Sequence, residues 1–239
     1  MNGILSTLRK AVEEFSMITD GDRIAVGVSG GKDSVALLYF LAKLSEFYPK
    51  KFEIVGITLD MQFGGANRNF EEIKKFADSL GLEYHVEKTD IAEVIFDIRK
   101  EKNPCSLCAR MRRGALHDMA KKLGCNKIAL GHHKDDALET VLMNLFDEGR
   151  FGCFSPVTYL SRKNLTMIRP LVFTDEKDIR AAVKKLNLPV VKSICPADGL
   201  TNRQSKKQFI EEQERQNHGF KKRLFGALRK SGVDGWGFS

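Results

Sequence analysis

The 239-residue chain has no run of roughly 18 or more apolar residues, the length a helix needs to cross a bilayer. That lack excludes a membrane span. The opening residues, MNGILSTLRKAVEEF, interleave charge with apolar positions and lack the unbroken apolar stretch of a secretory signal. A soluble, cytoplasmic protein is expected. Cysteine is sparse and odd in number: Cys105, Cys108, Cys125, Cys153 and Cys195. An odd set without a signal peptide argues against a disulfide framework, so each thiol is buried, catalytic or metal-bound. No internal repeat is visible, which excludes a solenoid.

Cations exceed anions, 39 Lys and Arg against 31 Asp and Glu, for a formal charge of +8. A basic balance suits a polyanionic partner such as nucleic acid, or is simply a basic surface. The cations cluster locally, in RMRRG (110–114) and in FKKRLFGALRK towards the end of the sequence. The second cluster suggests an RNA-facing flank.

Apolar periodicity predicts an amphipathic helix over 1–18, with Ile4, Leu5, Leu8, Val12 and Phe15 on one face. Strands are expected at 24–29, 52–60, 82–90 and 126–133, with extended segments at 167–173 and 188–196. Between them fall helices at 34–48, 69–81, 91–101, 104–124, 134–149 and 174–187, the last with Thr174 as its N-cap. A charged helix spans 202–230, and the Gly-rich stretch after it is expected to be loose. Strands alternating with helices imply a doubly wound parallel sheet, an α/β fold that binds ligands beyond the carboxyl ends of its strands. The expected organisation is an N-terminal helix over 1–20, a nucleotide-binding and catalytic domain over 21–200, and a basic helical segment and tail over 201–239.

The first strand runs into Ser29-Gly30-Gly31-Lys32-Asp33-Ser34 and then a helix. Glycines let the backbone approach a ligand closely, and amides at a helix N-terminus attract anions. The loop is not a Walker A loop, which needs glycine at position 26 and Ser or Thr after the lysine; Val26 and Asp33 stand there. Nor is it G-x-G-x-x-G. It resembles the pyrophosphate loop of the PP-loop ATP pyrophosphatases. That resemblance implies ATP, cleaved between its α and β phosphates, with Ser29 to Ser34 holding the pyrophosphate end.

LGHHKDDALET (130–140) crowds two histidines and two carboxylates at a strand end. Asp135 and Asp136 can cap the helix, and His132 and His133 can be packed or solvated. The block also resembles the second signature of the tRNA thiolation and lysidine branch of the PP-loop family. By that resemblance Asp135 or Asp136 binds Mg²⁺ or the activated base, and Gly131 and His132 lie near nucleotide phosphate. Asp60 ends the second expected strand; it is either a turn former or, by the same resemblance, a catalytic or Mg²⁺-linked group.

Cys105 and Cys108 form one C-x-x-C at a helix start, and no second one exists. It can be a redox pair, half of a zinc site, or part of an iron–sulfur site completed by Cys195. Cubane clusters usually take four cysteines; three leave one iron open to another ligand. The block CSLCARMRRGAL, together with GHHKDDALETVLMNLF and IRPL, resembles the tRNA 2-thiocytidine synthetase group. This implies tRNA as substrate, a [4Fe-4S] cluster on Cys105, Cys108 and Cys195, sulfur supplied as sulfide or by a cysteine desulfurase, and a homodimer. Arg110, Arg112 and Arg113 would meet tRNA phosphates, although at helical spacing they cannot all face one way. The sequence departs from that group in having PADGLTNRQ after Cys195 where members often carry another cysteine. A related thiolase acting on uridine, or a zinc or redox nucleotide-binding protein, are the alternatives. Cys125 and Cys153 are expected to be structural. Trp236 can stack on a base or anchor the tail by packing.

Overall fold

The computed structural model describes residues 2–63, 69–99, 104–192, 194–195 and 202–237. A six-stranded sheet of order β3-β2-β1-β4-β6-β5 forms its centre. The strands are β1 (Asp22–Gly27), β2 (Phe52–Asp60), β3 (Glu83–Lys88), β4 (Lys127–Ala129), β5 (Val157–Leu160) and β6 (Leu165–Ile168). β1 pairs parallel with β2 and β4, β2 with β3, and β4 with β6. The expected parallel α/β sheet is therefore present. Its last strand, β5, runs antiparallel to β6, and the sequence reading missed this hairpin.

The middles of β1 (Ile24, Ala25, Val26) and β2 (Ile54, Val55, Ile57) are apolar because both faces of the sheet are covered, as parallel sheets require. On one face, α2 (Lys32–Ser45) lies between the sheet, α1 (Asn2–Glu14) and α6 (Glu176–Lys185). It buries Val35, Leu37, Leu38, Phe40, Leu41 and Leu44, so it is apolar nearly all round. On the other face, α4 (Pro104–Lys122) places Leu116, Met119 and Ala120 against Ala25, Val55, Ile57 and Ile128. The edge strand β3 carries Glu83, His85, Glu87 and Lys88, charges that discourage further strand pairing. At the amino edge, the buried Lys127 ammonium pairs with Asp22 at 2.7 Å and donates to the Met17 carbonyl at 2.9 Å. A buried cation is tolerable only with such partners.

Several expectations need correction. Residues 91–101 are not an ordinary helix: Glu93–Ile98 is π-helical. Thr174 does not cap α6. Asp175 is the N-cap residue, and the Thr174 hydroxyl lies 2.7 Å from that of Thr7. Residues 188–192 and 194–195, expected only to be extended, carry neither helix nor strand, and the Val191 N–H donates to the Gly30 carbonyl at 2.9 Å, strapping this segment to the glycine loop. The single charged helix is two, α7 (Asn202–Gln216) and α8 (Phe220–Ser231), broken at Gly219 with φ +84°. The expected turn at Asn103 and the residues after Cys195 lie outside the described residues.

The Gly-rich stretch near Trp236 is not loose. Trp236 is 0% exposed, and its indole N–H donates to the Phe154 carbonyl at 2.7 Å. Its ring meets Phe15, Phe154 and Phe225 with centroids 5.7–6.2 Å apart. Of the two readings of Trp236, packing is the one the structure bears out. Among the described residues no helix is long and apolar enough to cross a membrane.

Trp236→Ala should cost about 3–5 kcal/mol of unfolding free energy, read as a lower denaturation midpoint in urea. A change below about 1 kcal/mol would mean that the indole does not anchor these elements.

Candidate active site at the carboxyl edge of the sheet

The loop after β1 is held by its own side chains. The Ser34 hydroxyl accepts the Ser29 N–H at 3.1 Å and donates to the Gly31 carbonyl at 2.9 Å. Gly30 has φ +88°, a conformation other residues adopt only with strain. Gly131, which follows β4, lies so close that a Cβ there would be 3.0 Å from the Asp33 carbonyl carbon and oxygen. The two signature blocks thus touch, backbone to backbone, and Gly131 is the residue that permits it.

Three helix N-termini meet at this place: α2 after the loop, α5 (Lys134–Asp147) after β4, and α6. Each carries positive backbone potential at that end. α5 is capped by His133, whose Nδ1 accepts the Asp136 N–H at 3.4 Å, while Asp136 Oδ2 accepts the His133 N–H at 2.9 Å. Asp135 joins two helices: its Oδ2 accepts the Glu176 N–H at 2.7 Å and its Oδ1 accepts from Lys221 at 2.8 Å. Burial would raise the Asp135 pKa, but these donors hold it below the usual value. Lys32 pairs with Asp33 and with Glu176, each at 2.9 Å. Glu176 also takes Lys207 at 2.6 Å and Arg180 at 3.0 Å. Burial works against its charge, yet Lys207 and Lys32 keep its carboxyl well below the usual range. Arg203 of α7 pairs with Asp136 at 2.6 Å.

Sequence reasoning had not found Glu176, Glu139, Arg169, Arg203, Lys207 or Lys221. Two signals were available: the acidic first turn of α6, and the four-residue spacing of Arg203 and Lys207, which puts them on one helix face. The expectation of an RNA-facing basic flank therefore needs revision, because several cations of α7 and α8 turn inward to carboxylates.

His132 is not a solvated residue. It packs on Phe154 with centroids 5.1 Å apart, and burial together with Arg169 pushes its pKa down to about 4, so it is neutral at pH 7. Arg169, after β6, is buried over the Phe154 ring at 5.0 Å. Asp60 is buried at the end of β2, where its Oδ1 accepts the Gln62 N–H at 3.2 Å. That is the turn-forming role, and it places a carboxylate on the same edge of the sheet. An open groove of about 760 Å³ runs between the end of β3 and α4; its lining includes Gln62, Lys88, Asp90, Met111, Asp118 and Lys122, and Asp60 is not part of it.

Cys105 is exposed and Cys108 half-buried at the start of α4; Cys195 is half-buried. Burial raises the Cys108 pKa. The Arg112 guanidinium opposes that shift, and the thiols of Cys195 and Cys105 add to it. The thiols of Cys105 and Cys195 and the Arg112 guanidinium are thus near enough to Cys108 to act on its charge. Among the described residues no three His, Cys, Asp or Glu side chains are closed to metal-holding distance. Cys125 and Cys153 lie apart, in the cores under α4 and under Trp236. Burial pushes the Cys153 thiol up to about 12. Arg110, Arg112 and Arg113 are all exposed.

A parallel sheet with a glycine loop and helix N-termini at its carboxyl edge is the arrangement on which α/β proteins hold nucleotides. The PP-loop domain family matches residues 4–206. The tRNA-cytidine(32) 2-sulfurtransferase of Geobacter sulfurreducens is 40% identical over 228 residues, 94% of this chain and 88% of that protein. That of Pelobacter propionicus is 41% identical over 210 residues, 87% of this chain and 77% of that protein. Among solved structures, the U34-tRNA thiolase NcsA from Methanococcus maripaludis, with its [4Fe-4S] cluster, superposes with a TM-score of 0.75 at 25% identity, covering 92% of this chain and 75% of that one. The chain belongs to the PP-loop family and, within it, to the family of the tRNA-cytidine(32) 2-sulfurtransferases.

Glu139 carries a pH signature. It is 4% exposed, and burial, with Asp136, pushes its carboxyl up to about 7. A raised carboxyl pKa means stability that is complete below the unfolded value of 4.5 and is lost as pH rises through about 7. Between pH 5 and 8 the protein should lose about 2–3 kcal/mol relative to Glu139→Gln. Urea unfolding of both proteins across that range measures it, and parallel curves would refute it.

Proposed function

We propose that the chain is an ATP-dependent tRNA sulfurtransferase that replaces the C2 oxygen of a cytidine with sulfur. The observation that carries this reading is the pairing, in one chain, of the glycine loop at converging helix N-termini with the thiols of Cys105 and Cys195 near Cys108.

The chemistry follows from leaving groups. A base oxygen leaves carbon poorly, whereas an AMP oxygen leaves well. The cytosine O2 attacks the α phosphorus of ATP, forming a C–O–P link and releasing pyrophosphate. A hydrosulfide then adds to C2, and AMP departs with the oxygen. The loop and Lys32 hold the pyrophosphate end and offset its growing charge. Gly131 sets the spacing between the loop and α5. Asp33 Oδ1 is buried and accepts no hydrogen bond, an oxygen that suits a hard cation. Mg²⁺ would be held there and would neutralise phosphate charge, whereas both oxygens of Asp135 and both of Asp136 are already taken, by the Glu176 N–H and Lys221 and by the His133 N–H and Arg203. Exposed Arg110 and Arg113 meet tRNA phosphates, while Arg112 stays at Cys108.

The thiol set suits an iron–sulfur group: soft donors, three in number, with the other two cysteines buried elsewhere. Cys105, Cys108 and Cys195 would hold it, and it would supply a place to keep and pass on sulfur from sulfide or a cysteine desulfurase. The likeness to a U34-tRNA thiolase keeps uridine as the second reading of the base. Mass spectrometry of nucleosides from treated tRNA decides between them: 2-thiocytidine is expected, and 2-thiouridine would move the assignment. Cys195→Ala should abolish thiolation while ATP binding stays near normal. Continued thiolation by that variant would show that the thiol set is not the sulfur site.

A further inference from the structure

Glu176 is in an unusual position for a carboxylate beside a phosphate loop. Its Oε1 lies 2.9 Å from the Lys32 ammonium and its Oε2 lies 2.6 Å from that of Lys207. Arg180 donates to Oε1 at 3.0 Å. The side chain is 12% exposed, on the first turn of α6, where backbone potential is also positive. One small anion thus sits between the lysine of the glycine loop and a lysine of α7, with a guanidinium behind it. That is how proteins surround a phosphate: several charge-assisted donors on neighbouring oxygens.

The Glu176 carboxylate also has another place to go. Arg180 lies four residues along the same helix and is 66% exposed, so the Glu176–Arg180 pair can persist with the carboxylate turned outward. Lys207, and Lys32 with only Asp33 left at 2.9 Å, would then face the same space with no carboxylate bridging them. Two ammonium groups so arranged repel each other unless an anion of at least equal charge enters. A phosphate group carries more negative charge than a carboxylate and offers more acceptor oxygens, so it can win the exchange.

We infer that Lys207 is a second phosphate-holding lysine of this site, and that Glu176 occupies the place of the polyphosphate until the nucleotide displaces it. The inference rests on the reading of the glycine loop as the pyrophosphate cradle. It gives α7 a direct part in nucleotide binding: a helix that clasps α6 without nucleotide clasps the nucleotide when it is bound. A ligand that replaces an internal competitor binds more weakly by the cost of that displacement. Removing the competitor's charge must therefore tighten binding, whereas removing a merely structural salt bridge would weaken it.

Isothermal titration of the full chain with Mg²⁺ pyrophosphate and with AMP tests this. Lys207→Gln should weaken pyrophosphate about tenfold, the loss of one charge-assisted contact, and leave AMP within about twofold. Glu176→Gln should tighten pyrophosphate several-fold. If Lys32→Gln weakens pyrophosphate but Lys207→Gln does not, the loop reading stands and the second lysine is wrong. If Lys207→Gln weakens AMP and pyrophosphate equally, or Glu176→Gln weakens pyrophosphate, the role is structural and the inference fails. If Lys32→Gln itself has no effect, the cradle reading falls and this inference with it.

Discussion

The carboxylate of Asp135 is the joint on which the site depends. With one oxygen it takes the first amide of α6, and with the other it takes a lysine of α8. Its backbone starts α5. Without that carboxylate, the N-termini of α5 and α6 would lose the anion they share, leaving Asp33, Asp136 and Glu176 to offset the positive potential of three helix ends. With it, α5, α6 and α8 become one frame, and the glycine loop rests against that frame at Gly131. The sheet sets the direction in which everything points; Asp135 sets how closely the pieces approach.

The same balance explains the ionisable groups buried around it. His132, Glu139 and Arg169 are all removed from water, and burial works against the charge on each. A protein that bound only apolar ligands would gain by replacing them. A site that must receive a polyanion needs field and polarity prepared in advance, because reorienting water at the moment of binding costs more. The buried charges are a stability cost tied to function, and the dense apolar packing of α2 and Trp236 offsets it.

The strands that sit wholly inside the sheet were legible in the sequence, because burial on both faces leaves an apolar run; β2 appears at the residues its pattern indicates. The glycine loop and the His-Asp block were legible for a different reason: close approach and capping restrict which residues fit. The β5–β6 hairpin was not, since β5 is short, half-exposed and at the edge. The partners of the carboxylates were not either. Lys207 and Lys221 look like any solvated cation of a charged helix, and only the break at Gly219 folds α8 back beside α5. Trp236 lay among glycines, a composition that reads as loose, while its partners Phe15, Phe154 and Phe225 are far away in sequence.

The inward-facing cations of α7 and α8 have a consequence for how the chain is made. Residues 2–185 contain the whole sheet and the helices up to α6, but Lys207 and Lys221 come later in the sequence. While a ribosome is still adding residues 202–231, at about 5–20 residues per second, a few seconds pass in which Asp135, Asp136 and Glu176 lack Lys221, Arg203 and Lys207, and Glu176 has only Lys32 and Arg180. During that interval the carboxylates at this edge of the sheet are only partly neutralised. The fold can collapse around α2 at once, but the site closes only when the C-terminal helices emerge and dock.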